Sequence, residues 1–377
     1  MAVGRARAAA DRHPRHPVGV QPVARAAGRA AARAGRCLVT AIDAPTLLAE
    51  VEQRLARLAA PTGPHPVQAA AAGAVGGGKL LRPRLVLVAA GEGADREAVV
   101  ATAAAIELLH AALLVHDDVI DDDDERRGQP SVSRRAAVTA AEAGLSPAAA
   151  QRLGLTTAIV AGDALLVRAL AALARLDVPT AVRARLVDIV ERAMIRAAEG
   201  EHDDVLLAGS TPDDETIDRI LRGKTADYSF RAPLELGAVL GGRDEAAIEA
   251  LGEIGLRMGV VYQLRDDVLG VFGDEATTGK SVLSDIRAGT PTMLSALASR
   301  EPQWASVSRH YGDPDADEGA AARIRSVMRG SGALGEVERR IAEGADEVRA
   351  MLAEAPIEQR LRDDLQLILE RCAERRR

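Results

Sequence analysis

Two stretches of this 377-residue chain end long apolar runs with a pair of aspartates. The first reads His110-Ala-Ala-Leu-Leu-Val-His-Asp117-Asp118-Val-Ile-Asp121, followed by four further acids, Arg126, Arg127 and Gly128. On a helix Asp117 and Asp121 fall one turn apart on the same face, and His110 lies two turns before Asp117 on that face. Two carboxylates four residues apart repel each other, so an apolar helix ending with both facing inward needs a cation between them. Oxygen-only ligands point to Mg2+ or a similar hard ion. An isolated run such as Asp121 to Glu125 is more often a solvated loop, and a lone histidine in an apolar helix more often belongs to the core. The apolar residues ahead of Asp117 and Asp118 argue against that plain reading here.

The second pair sits in Tyr262-Gln263-Leu-Arg-Asp266-Asp267-Val-Leu-Gly270, with Asp274 and then Gly279-Lys280 beyond it. Two helices that both end in Asp-Asp can converge on a small cluster of Mg2+ ions whose remaining positions are filled by a polyanionic substrate and water. Among 48 cationic side chains only Lys79, Lys224 and Lys280 are lysine, and each follows a glycine. An ammonium on a flexible stem acts as a point charge beside phosphate, which a planar guanidinium does not reproduce. Gly76-Gly-Gly-Lys79-Leu-Leu-Arg82-Pro83 joins a flexible backbone to two cations three residues apart, and Lys224-Thr225 offers an ammonium and a hydroxyl in mid-helix. The glycine spacing of a nucleotide-binding P-loop is absent. Metal-binding acids and cations without a nucleotide fold suggest diphosphate groups.

The elements that must position these residues read as helices. Apolar residues recur at helical spacing over Pro45–Ala60, Asp95 to about Asp121, Pro147–Leu176, Pro179–Glu199, Asp213–Leu240, Glu245–Val271 and Ala333–Arg371, with 300–319 as the least regular interior loop. No composition shift marks a second domain, so residues 43–377 are expected to form one large all-α helical bundle. Residues 1–42, rich in Ala and Arg, lack a steady apolar period and are expected to be a disordered extension. Their Arg-rich, acid-poor character resembles a transit peptide only superficially, because the segment contains no serine.

Composition excludes several classes. Apolar residues make up 47% of the chain and aromatic ones 2%, which disfavours sandwiches and barrels. Net charge is −7, but eight arginines and one acid lie within the first 37 residues. Taking eight from 48 bases and one from 55 acids leaves 40 against 54, a balance of about −14 that does not suit a nucleic-acid binder. Cys37 and Cys372 are too few and too distant for a disulfide framework or zinc site. The longest apolar stretches are interrupted by His110, Asp163 and Arg168, so no transmembrane segment and a soluble, cytoplasmic protein are expected.

Taken in order, Gly78-Lys79-x-x-Arg82-Pro83, His110, Asp117-Asp118-x-x-Asp121, Arg126-Arg127-Gly128, Lys224-Thr225, Gln263-x-x-Asp266-Asp267 and Gly279-Lys280 resemble the trans-isoprenyl diphosphate synthases, the polyprenyl synthetase family. The match runs from about Pro45 to the C-terminus. The resemblance implies an isoprenoid-synthase bundle, assembled as a homodimer, with three Mg2+ per active site. Asp117, Asp121 and Asp266 would be the principal metal ligands, supported by Asp118 and Asp267, and Arg126, Lys224 and Lys280 would hold an allylic diphosphate. Lys79, Arg82, His110 and Arg127 would hold isopentenyl diphosphate in a metal-free pocket, while Thr225, Tyr262 and Gln263 would line the reacting centre.

The chain departs from the family pattern at Gly270, where many relatives carry a third aspartate, and at Gly200-Glu201, where Gly-Gln is common. Ala112 and Leu113, five and four residues before Asp117, lack the aromatic ring that floors the channel in fifteen-carbon synthases. The missing ring favours twenty carbons or more, read as geranylgeranyl diphosphate, with farnesyl or longer polyprenyl products as the alternatives. A class I terpene cyclase would not need Lys79 and Arg82, and a non-catalytic subunit would not need all the motif acids and lysines.

Overall fold

A computed structural model describes residues 44–273 and 283–374. The expected disordered extension 1–42, Asp274 and Lys280 lie outside the described residues.

The described chain is helical almost throughout. In order, α1 (Ala44–Ala59), α2 (Pro66–Gly73), α3 (Leu81–Ala90) and α4 (Arg96–Ile120) lead to a two-residue antiparallel pair, β1 (Glu125–Arg126) with β2 (Gln129–Pro130). There follow α5 (Val132–Glu142), α6 (Pro147–Ala174), α7 (Thr180–Leu206) and α8 (Asp214–Ile220). A π-helix (Leu221–Arg231), α9 (Ala232–Leu240) and α10 (Glu245–Phe272) come next. The last helices are α11 (Ser284–Ala288), α12 (Met293–Ala298), α13 (Glu318–Gly330), α14 (Ala333–Glu354) and α15 (Gln359–Ala373).

Local chemistry sets the boundaries of the two helices that end in acid pairs. Asp95 accepts the Ala98 amide to cap α4, and Asp244 accepts the Ala247 amide to cap α10. Both helices then run through the interior. One buried cluster centres on α4 and α6, the other on α10 and the C-terminal helices. Residues of α3, the π-helix and α9 enter both clusters, as Leu85 and Val86, Phe230 and Tyr228, or Leu234 and Leu236 do in turn. Helices that alternate sides in this way tie the two halves of the bundle together.

Two long helices predicted from sequence are divided in the structure. Asp213–Leu240 becomes α8, the π-helix and α9, and Ala333–Arg371 breaks around Pro356, whose ring cannot continue the backbone ladder. Conversely, α7 runs on from Glu199 to Leu206, which carries Glu201 and Asp204 on regular helix. By length and composition α4 and α6 are long and apolar enough to cross a membrane, a test that the core helices of a bundle also pass. The most apolar window of α4 is 83% buried in the bundle, whereas that of α6 is only 39% buried.

Candidate active site

The first acid pair closes α4 and meets the β1–β2 hairpin. Arg126 on β1 donates from Nε to Asp118 Oδ1 at 2.6 Å and from Nη2 to Asp117 Oδ2 at 3.1 Å. Asp118 is buried; burial raises its carboxyl, and the Arg126 hydrogen bond and charge oppose that rise. Asp121 keeps a solvent-facing edge, yet partial burial, reinforced by Asp117 and Glu201 and opposed by Lys224, raises it to about 7. In this arrangement Arg126 pairs with the motif that the resemblance has it flank.

Lys224 arrives through close backbone packing. A Cβ on Gly200 of α7 would collide with the Lys224 amide, and one on Gly223 would lie 2.9 Å from the Arg196 carbonyl. The absence of side chains at both glycines lets the π-helix touch α7. Lys224 Nζ then lies 3.1 Å from Glu201 Oε2 and bonds Asp204 Oδ2. Burial alone would lower its pKa, but Asp204, Glu201 and Asp117 raise it above the ordinary lysine value, so it stays an ammonium. Glu201 and Asp204, three apart on one helix face, are thus site residues that the motif reading left without a role. Their spacing and their place beside the expected glutamine were the available signal.

The second pair closes α10. Gln263 Nε2 donates to Asp267 Oδ1 at 2.8 Å, and Asp267 Oδ2 is buried without a hydrogen-bond partner. Burial pushes the Asp267 carboxyl well up, and the charges of Asp266, Asp285 and Asp204 push it further. Asp204 therefore acts electrically on the second pair while gripping the lysine that faces the first. Asp266 is half-buried. A Cβ on Gly270 would overlap the carboxylate of Asp285 on α11, so Asp285 stands where a third aspartate of this motif would otherwise project. Tyr262 packs against Phe230 with ring centroids 5.3 Å apart, and Thr225 is half-buried one residue beyond Lys224.

A separate cationic group lies around α3. Arg82 in its first turn donates to Tyr228 Oη at 3.0 Å and Ser229 Oγ at 2.7 Å, and its guanidinium stacks 4.8 Å from the Tyr228 ring centre. Tyr228 Oη is 3.5 Å from His110 Nδ1. Burial holds the imidazole well below its usual pKa, and Arg82, Arg127 and Arg126 add to this, leaving it neutral. Arg127, at a positive φ of 57°, reaches back to the Gly76 carbonyl at 2.6 Å. Lys79 is exposed on the same α2–α3 connection. Glu107, three residues before His110, is a buried acid that motif reading missed; burial raises its carboxyl and Arg82 and Arg127 oppose this. Ala112 is fully buried and Leu113 partly so.

Among the described residues, no three acidic, imidazole or thiol side chains close on one point to hold a metal by themselves. The donor set nevertheless fits a hard divalent ion. It is all oxygen, and it includes an unpartnered buried carboxylate oxygen on Asp267. Ions there would complete their shells with oxygens of a bound anion.

The described chain is thus a helical bundle with paired aspartates on two long helices and a cationic group, Arg82, Arg127 and His110, beside them. Residues 65–328 match the family model for polyprenyl synthetase, and the chain belongs to that family. It is 36% identical over 226 residues to the geranylgeranyl diphosphate synthase of Saccharolobus solfataricus, covering 58% of this chain and 61% of that one. With the geranylfarnesyl diphosphate synthase of Aeropyrum pernix it shares 31% identity over 194 residues, 51% of this chain and 60% of the other. The aligned stretches thus span about three fifths of these curated relatives. Among solved structures, geranylgeranyl pyrophosphate synthase from Corynebacterium glutamicum, complexed with isoprenyl diphosphate and magnesium, superposes with a TM-score of 0.80 at 30% identity. The superposition covers 88% of this chain and 99% of that one. A decaprenyl diphosphate synthase from Rhodobacter capsulatus gives 0.72 at 27% identity, covering 88% and 97%.

Proposed function

We propose that this chain is a Mg2+-dependent prenyltransferase that condenses isopentenyl diphosphate with an allylic diphosphate, with geranylgeranyl diphosphate as its product. One observation carries the reading: Lys224 sits among acids, Glu201 and Asp204 at its ammonium, whereas Arg82 and Arg127 surround a neutral His110 with Glu107 as their buried counter-acid. Two diphosphates with different needs suit that division.

Asp117, Asp121 and Asp266 would hold Mg2+, three ions per site, with Asp118 and Asp267 supporting them. When bound, the ions supply positive charge to the leaving diphosphate. Lys224 and Lys280, with Arg126, orient that diphosphate and stabilise the charge that grows on it as the allylic carbon–oxygen bond breaks. Arg82, Arg127, Lys79 and the neutral His110 hold isopentenyl diphosphate. The π electrons of its double bond form the new carbon–carbon bond, and a proton passes to the departed diphosphate. Thr225, Tyr262 and Gln263 line the reacting centre, where hydroxyl, ring face and carbonyl dipoles favour the transient cation. The growing tail passes Ala112 and Leu113.

The active unit is a homodimer in this reading. An exposed apolar face on α6, made by Leu153, Ile159, Val160, Val167 and Leu170, supports it together with Ile195 of α7. Burial of 83% of the most apolar window of α4 inside the bundle supports a cytoplasmic enzyme.

Purified protein incubated with Mg2+, isopentenyl diphosphate and five-, ten- or fifteen-carbon allylic diphosphates tests the proposal. A twenty-carbon product by mass spectrometry is the expected result. No elongation from any primer would return the non-catalytic alternative.

A further inference from the structure

The π-helix that delivers Lys224 has a working side and a back side. Its closing bond, from the Ala232 amide to the Asp227 carbonyl, spans five residues instead of four. With five-residue spacing, positions four and five beyond Lys224 flank its own direction, so Tyr228 and Ser229 both reach Arg82. In an α-helix Ser229 would turn about 140° away from Lys224. The π geometry therefore lets one short segment face the acids at Lys224 and the cationic pocket at Tyr228 and Ser229.

Such a run is rare in isolation, and here its back side is held by buried charge. Glu235, 4% exposed on α9, accepts from Arg192 of α7 at 2.5 Å and from Arg231 of the π-helix at 2.9 Å. Arg231 also meets Glu253 of α10 at 3.2 Å. Asp227, only 2% exposed, has its Oδ1 3.7 Å from Arg192 Nη2 and no hydrogen-bond partner at that atom. Room for the cluster comes from α10, where a Cβ on Gly252 would lie 2.5 Å from Glu235 Oε1 and one on Gly255 would lie 2.9 Å from Arg231 Cα. None of these charged groups is among those assigned to either diphosphate.

We propose that Asp227 and Glu235, through Arg192 and Arg231, are positioning residues that hold Leu221–Arg231 in π register and so aim Lys224, Tyr228 and Ser229 together. The proposal rests on the reaction assigned above for its kinetic consequence. Because one segment serves both diphosphate positions, loosening it weakens both at once, whereas damage to either position alone affects one substrate.

Glu235→Gln keeps the shape and removes the charge that joins the two arginines. The expected result is a rise on the order of tenfold in KM for both substrates with a fall in kcat. Amide hydrogen exchange across Leu221–Arg231 should accelerate to a similar degree, while α4 and α13 keep wild-type protection. Glu235→Asp and Arg192→Lys should each recover part of the loss. A lowered melting temperature with unchanged local exchange and unchanged kinetics would overturn the proposal, because that is what a merely structural ion pair gives. If Glu235→Gln does not fold, Asp227→Asn carries the same test. Wild-type protein without turnover would refute the reaction instead, and the exchange measurement would still decide the register.

Discussion

The two aspartate pairs look alike in sequence and differ in how the fold treats them. Each ends a long apolar helix, and in each the second aspartate is buried. Asp118 meets the guanidinium of Arg126, supplied by the hairpin that follows, whereas Asp267 receives only the amide of Gln263 and leaves one oxygen unpartnered. The first pair thus has an arginine on its buried member, while the buried member of the second, Asp267, feels the further acids Asp204 and Asp285. A buried carboxylate without an ionic partner costs stability and persists where function needs it. The comparison assigns the second pair the greater dependence on an incoming cation.

Removing an aspartate proposed to hold metal breaks the comparison most severely. Asp117→Ala and Asp266→Ala should each lower turnover by roughly 10³-fold or more while the circular dichroism of the bundle is retained, since each would remove a proposed ligand and no core packing. Near-normal turnover in either would remove the metal site from this position. The buried partners then separate the pairs by sign. Asp118→Asn removes the nearest carboxylate of the Arg126 guanidinium, which keeps Asp117, and should cost about 2 kcal/mol in denaturant unfolding. Asp267→Asn removes a carboxyl whose ionisation is disfavoured by burial and by its acidic neighbours, and should raise stability by about 1 kcal/mol even as activity falls. Equal stability changes of one sign would show that the pairs are not distinguished as described.

A smaller effect concerns chain length. The helix that ends in the first pair also carries Ala112, and Ala112→Phe should shorten the main product by about one isoprene unit while elongation persists, because a ring fills space beside the tail. An unaltered product distribution in the same mass-spectrometric assay would place the tail elsewhere. The proposed dimer carries the smallest expected catalytic effect. Val167→Glu, at a side chain 65% exposed in the monomer, should shift the species seen by light scattering from dimer to monomer.

Much of this molecule is written in local pattern. Asp95 and Asp244 mark helix starts through their own side chains, and the period of apolar residues follows from helical geometry, so α4, α6 and α10 were legible. The acid pairs were legible for the same reason, since residues four apart on a helix share a face whatever the rest of the chain does. Short helices such as α3 and α5, and the break at Pro356, were not, because brief segments carry too few turns to show a period.

What required the tertiary structure is the company each charge keeps. Nothing near Lys224 in sequence announces Glu201 and Asp204; they meet because two glycines let helices touch. Nothing near Arg82 announces Tyr228 and Ser229, which a π turn alone brings to one side. Glu107 and Asp285 gain their places from helices that pack across the bundle. The amino-acid order determined which groups could bind metal and diphosphate, because those capacities belong to individual side chains and their spacing along a helix. Only the fold decided which charges are neutralised and which remain open, because electrostatic pairing depends on distance through space and on burial, and neither is set by position in the chain.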